Sequence, residues 1–88
     1  MEIEFDPDKE AANLAKHGIS LKRVAQFQIR TSEKVERNGD VRLFCLGFLD
    51  GRLYSLTFTF GRNAVRAISL RRAHARELAD AIKRYSGI

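Results

Sequence analysis

Three arginines in the second half of the chain offer the clearest chemistry: Arg66, and the adjacent pair Arg71 and Arg72. A guanidinium is planar, permanently charged and shaped to fork onto the oxygens of a phosphate. Such groups bind phosphate and stabilise negative charge that grows in a transition state. Neighbours in a strand point to opposite faces, so at most one of Arg71 and Arg72 can face a given site if both are in a strand. The same residues also suit surface or capping roles. Arg72 near a helix start would oppose the helix dipole. His17 is the candidate proton carrier, because imidazole titrates near neutrality. A histidine in a last helical turn before glycine equally serves to meet free carbonyls. His74 lies in a basic run and reads as a surface residue. The two histidines are far apart and have no flanking Cys or acidic ligand motif, so neither a metal site nor a cofactor is expected.

The charge around these residues is uneven. The 88-residue chain has a net charge of +5, yet residues 1–44 hold eight Lys/Arg and eight Asp/Glu. Residues 45–88 hold eight Lys/Arg and three acids, and seven of those eight cations are arginine. That bias favours phosphate contact, although a solvated basic face has the same composition. The chain reads as one domain, 1–88, with a thin core. No apolar run spans a bilayer, and the Glu2-Ile3-Glu4-Phe5 opening is not a signal peptide, so a cytoplasmic location is expected. The lone Cys45 sits in an apolar run and reads as a buried thiol.

The elements that must position these residues follow from periodicity. Residues 2–5 suit a short strand. Asp6-Pro7 starts a helix that runs to His17, with Ala11, Ala12, Leu14 and Ala15 as its apolar stripe and Gly18 as its stop. Ser20 caps a second helix carrying Leu21, Val24, Ala25 and Phe27. Asn38-Gly39 and Asp50-Gly51 are hairpin turns, and Val41–Leu49 lies between them as a strand. Over 53–60, Tyr54, Leu56, Phe58 and Phe60 alternate with Ser55, Thr57 and Thr59. Gly61-Arg62-Asn63 turns into a strand over 64–70, and 73–85 closes the chain as a helix. The expected architecture is α+β: two N-terminal helices, an antiparallel meander of three to four strands, and a C-terminal helix, with the helices on one sheet face. The other face, lined by hydroxyls and arginines, suits a nucleic acid.

Two blocks of residues resemble BrnT toxins. The first is Phe5-Asp6-Pro7, Lys9, Asn13 and Lys16-His17-Gly18-Ile19-Ser20. The second is Asp50-Gly51-Arg52, Tyr54, Phe58-Thr59, Arg66, Ile68-Ser69 and Arg71-Arg72-Ala73. The chain departs from the pattern at Phe5, where many relatives carry Trp, and over 30–38, which lacks an Asp-Pro-type break. The resemblance implies a RelE-like fold, toxicity through RNA cleavage, and a BrnA-like antitoxin that binds the toxin and represses their operon. DNA would then be reached only through that complex.

RNA is cleaved without a metal when its own 2′-OH attacks the adjacent phosphate, provided that protons are moved and negative charge is stabilised. On this reading Arg66, Arg71, Arg72 and His17 are the catalytic candidates. Lys9, Lys16, Arg52, Arg62 and Arg76 are the RNA contacts. Lys9 and Lys16, seven residues apart, share a helix face that is equally at home in solvent. Tyr54 shares strand parity with Arg52 but aligns with core residues. No residue identifies itself as the general base. The competing function is a non-catalytic RNA- or protein-binding module whose basic face docks an acidic partner. A DNA-binding repressor fits less well, because no helix-turn-helix has a basic second helix.

Overall fold

The computed structural model describes residues 2–60 and 64–86. The chain runs through β1 (Glu2–Phe5), α1 (Pro7–His17), a 3-10 helix (Leu21–Gln26), β2 (Gln28–Arg37), β3 (Asp40–Leu49), β4 (Arg52–Phe60), β5 (Ala64–Arg72) and α2 (Ala75–Ser86). The strands form one sheet in the order β1-β5-β4-β3-β2. β2 to β5 pair antiparallel, while β1 lies parallel to β5, with Ile3 beside Val65 and Phe5 beside Ala67. The fold is therefore α+β around a five-stranded mixed sheet: β2 to β5 form the expected antiparallel meander, and β1 adds a fifth strand in parallel beside β5.

Both hairpin turns form as their residues require. Asn38 and Gly39 have φ of 52° and 78°, and Asp50 and Gly51 have φ of 52° and 74°. Two successive left-handed residues make the turn whose twist matches the flanking strands. Asp50 is pinned further by Arg23, whose guanidinium donates to both of its carboxylate oxygens at 2.8 and 2.7 Å. At Gly47 the ring of Phe27 packs so closely that a Cβ would lie 2.7 Å from it.

The core lies on one face of the sheet. Leu21, Cys45, Leu49, Leu56, Ala67 and Leu70 are buried there, flanked by Ile3, Phe5, Val24, Phe27, Tyr54 and Phe58. The expected second α-helix is instead a 3-10 helix. Leu21, Val24 and Phe27 recur every third residue, which is the period of that tighter helix. The ten-residue strand β2 follows it, over a segment whose apolar residues are too sparse to announce a strand.

α1 also departs from its sequence pattern. Ala11, Ala12, Leu14 and Ala15 are exposed, and Asn13 is the buried residue. The Asn13 amide donates to Leu70 O at 2.8 Å and accepts from Leu70 N–H at 2.9 Å. Its remaining N–H donates to Ile19 O at 2.9 Å. β1 ends at Phe5, opposite Ala67, so β5 has no strand on that side at Leu70. The side-chain amide stands in for a missing peptide unit and continues the ladder. Nor do the helices share one side of the sheet: α2 lies against the second face, where Leu78 and Ile82 line an apolar groove with Leu46, Phe48 and Leu53.

Candidate nucleic-acid interface and active site

β4 divides its side chains as its alternation predicts. Tyr54, Leu56 and Phe58 face the core, and Ser55, Thr57 and Thr59 face the other way. Cross-strand register then sets the rows of the second face. Thr31, Leu46, Ser55 and Arg71 form one row. Glu33, Phe44, Thr57 and Ser69 form the next, and Val35, Arg42, Thr59 and Arg66 the third. Hydroxyls thus occupy the middle of the face, with arginines at its margins.

Arg71 makes the most hydrogen bonds of these arginines. Its Nη1 donates to Glu77 Oε1 at 2.7 Å, and its Nη2 donates to Glu77 Oε2 at 3.2 Å. Nη1 also donates to Arg72 O at 3.2 Å. These bonds leave Nε–H and one Nη2 hydrogen for another acceptor. Glu77 Oε1 in turn accepts from His74 N–H at 2.7 Å, and Leu78 N–H bonds His74 O at 3.0 Å. Glu77 is therefore the reaching-back half of a capping box at the start of α2. The Arg71 guanidinium holds the Glu77 carboxyl below the usual glutamate range, against the opposing effect of partial burial. Arg71 and Glu77 line a cavity of about 290 Å³ together with Thr31, Glu33, Phe44 and Ser55.

The remaining candidates are dispersed. Arg66 lies on the second face but two rows away, paired with Glu4 at 3.3 Å. Arg72 follows Arg71 in β5 and so points to the core side, its guanidinium 5.9 Å from the centre of the Tyr54 ring. Arg52 shares that side at the start of β4, and Arg76 is exposed in the first turn of α2. His17, Lys9 and Lys16 are exposed on α1 and line none of this cavity. Arg62 lies outside the described residues. The structure adds Glu77, Glu33 and Phe44, which sequence reasoning did not single out. Glu77 stands three residues after His74, the spacing of a capping box but without its usual Ser or Thr; Phe44 alternates with Cys45 in a strand whose even positions face away from the core.

The family model for the ribonuclease toxin BrnT of type II toxin–antitoxin systems matches residues 5–77. The chain belongs to the BrnT family. It is accordingly a ribonuclease toxin of a type II system with an antitoxin partner, which decides against the non-catalytic module. Among solved structures, it is similar to the Brucella abortus ribonuclease toxin BrnT, with 28% identity and a TM-score of 0.66. That match covers 84% of this chain and 97% of the Brucella chain. No curated protein matches. Among the described residues no helix is long and apolar enough to cross a membrane.

The two BrnT-like blocks have different jobs in the fold. In the first, Asp6 caps α1, Asn13 completes the β5 edge and Gly18 ends the helix at φ 69°. Ser20 caps the 3-10 helix through Lys22 N–H and donates to Glu10 at 2.7 Å. That hydrogen bond holds the Glu10 carboxyl below its ordinary value. The second block supplies β4 and β5, and with them the hydroxyls and Arg71.

Proposed function

We propose that this BrnT-family toxin cuts RNA on the second sheet face by metal-independent attack of the substrate 2′-OH. The observation that carries the reading is the Arg71–Glu77 pair lining a polar cavity on a hydroxyl-bearing sheet. Arg71 binds the scissile phosphate through its unused N–H groups and stabilises the added negative charge of the transition state. Glu77, ionised at neutral pH, accepts the proton of the attacking 2′-OH; the P–O2′ bond forms as the P–O5′ bond breaks, and the leaving 5′-oxygen takes a proton from solvent. Arg66, two rows along the face, holds a neighbouring phosphate. Arg72 and Arg52, on the core side of β5 and β4, and Arg76, in the first turn of α2, bind the flanking backbone where it passes round the end of the sheet. Lys9, Lys16 and His17 stand outside this site as solvated residues of α1. The toxin acts in the cytoplasm, where its cleavage stops translation and growth, and a BrnA-like antitoxin neutralises it. DNA is approached only through their complex. The RelE-like likeness implied by the sequence motifs supports the same assignment.

The test uses purified toxin, EDTA and a defined RNA. Cleavage is expected to persist in EDTA, to leave a 2′,3′-cyclic phosphate, and to stop when the nucleotide at the cut is 2′-deoxy. Arg71→Gln is expected to lower kcat by roughly 10²- to 10³-fold, the loss typical of a removed transition-state donor. Cleavage of the 2′-deoxy substrate, or full activity in Arg71→Gln, would sink the reading.

A further inference from the structure

Among the described residues, the second face holds one aromatic ring that neither the core nor α2 uses. Phe44 is 40% exposed in the row of Glu33, Thr57 and Ser69. The other exposed aromatics of the sheet are engaged elsewhere. Phe48 lies under the Arg30 guanidinium, 5.5 Å from its ring centre, and beside the apolar groove under α2. Phe60 packs edge-on against Phe58 at 5.8 Å. Phe44 has no such ring or cation contact among the described residues. It lines the Arg71–Glu77 cavity on one side and a second cavity, with Arg42 and Asp40, on the other.

Its neighbour Glu33 is, with Asp80, one of two carboxylates lining this cavity that no arginine holds among the described residues. Glu4, Asp40 and Glu77 each pair with an arginine on this face. The Glu33 carboxylate makes no hydrogen bond or ion pair among the described residues, yet it lines the same cavity as Phe44 and Arg71. Glu33 and Phe44 are directly opposed across β2 and β3, a relation that puts their Cβ atoms about 5 Å apart. A flat apolar plate beside an unengaged acceptor, opening onto a phosphate-binding arginine, matches what an unpaired nucleobase needs. Single-stranded RNA is read by stacking bases on aromatic rings and bonding their Watson–Crick edges.

We infer that Phe44 and Glu33 form a base subsite that prefers guanine in single-stranded RNA. An ionised carboxylate only accepts hydrogen bonds. Guanine presents two adjacent donors on its Watson–Crick edge, N1–H and N2–H, and can meet both carboxylate oxygens at once. Adenine and cytosine offer one amino group beside a ring acceptor, and uracil one N–H between two carbonyls; each turns an acceptor toward the carboxylate. The base on Phe44 thereby places its own nucleotide's phosphate in the cavity that Arg71 lines. The inference rests on the proposed use of that cavity.

The chain contains no tryptophan, so Phe44→Trp creates a single fluorescent reporter at the subsite. The probes are short 2′-O-methyl oligonucleotides, which cannot be cut by 2′-OH attack, with guanine, another base or an abasic unit at one position. Binding is followed in parallel by the anisotropy of a label at the oligonucleotide end. The guanine probe is expected to quench the tryptophan saturably and to bind at least tenfold more tightly than the abasic probe. Glu33→Gln is expected to remove the preference for guanine over the other bases while leaving binding of the abasic probe within twofold. Binding without quenching, or a guanine preference that survives Glu33→Gln, overturns the subsite. So does a Phe44→Ala protein that binds guanine probes normally but no longer captures its antitoxin, since the ring would then be a protein contact. Because the probes are uncleavable, the subsite stands or falls in these measurements whether or not Arg71 and Glu77 carry out the cleavage.

Discussion

At the scale of single residues, the proposed mechanism gives Glu77 two duties that one substitution can separate. Glutamine keeps an oxygen to accept from His74 N–H, so the cap of α2 survives Glu77→Gln. It removes the proton acceptor. We expect kcat to fall by roughly 10²- to 10⁴-fold, the usual worth of a general base, with little change in helix content by circular dichroism. A loss under threefold would mean that Glu77 is only a cap. The carboxyls of Glu77 and Glu10 also set the acid response. Both titrate below their unfolded range, Glu77 because Arg71 bonds it and Glu10 because Ser20 does. Such groups contribute stability above the unfolded value, about pH 4.3, and lose it as pH falls through the folded value. Urea midpoints should therefore drop below about pH 4.3, and the drop should be smaller in Glu77→Gln. Arg71 was legible in the sequence because residue type alone announces phosphate chemistry. Glu77 was not, because its meaning comes from Arg71 standing opposite it, a contact between β5 and a helix whose angle the sequence does not encode locally.

Among the elements, turns and alternating strands were legible and the helices were less so. Asn-Gly and Asp-Gly between apolar strands favour the left-handed backbone that a tight hairpin needs, and β4 alternates because one face is core. α1 hid its buried side because that side is polar: Asn13 faces inward to complete the β5 edge, and the alanines face out. An apolar-periodicity argument must fail on a helix held by hydrogen bonds. The same feature makes a prediction. Asn13→Ala leaves Leu70 N–H and C=O buried without their partner, at about 1–3 kcal/mol per unsatisfied group. The unfolding midpoint should fall by several degrees or more, and amide exchange should quicken first at Leu70 and its neighbours in β5. An unchanged exchange rate at Leu70 would refute the role.

For the molecule as a whole, the fold class followed from the sequence, but the closing of the sheet by β1 did not. Residues 2–5 announced a short strand, but nothing local in them names β5, 62 residues on, as its partner. The charge asymmetry was visible in composition, yet the fold distributes it: Arg66, Arg71 and Arg42 are each matched to an acid, while Arg72, Arg52 and Arg76 have no acid partner among the described residues. RNA affinity should therefore fall with salt, with a log–log slope near −0.7 for each phosphate neutralised on a single strand. Arg52→Ala and Arg76→Ala should each reduce that slope by up to about 0.7. A slope indifferent to both would move the backbone path elsewhere.

The parallel pairing of β1 with β5 has a further consequence for when the molecule becomes itself. Glu4 and Arg66, which meet across that junction, are 62 residues apart in the chain, whereas each hairpin from β2 to β5 closes between neighbours. Local pairings form before distant ones, because a long loop costs more entropy to close. On a ribosome the first strand emerges early and must wait for the last. The hairpins can assemble in the meantime, but the sheet cannot finish until β5 is out, and Arg71 and Glu77 follow the β1 partner residues in the chain. The Arg71–Glu77 site is thus completed only after every other strand of the sheet has been made.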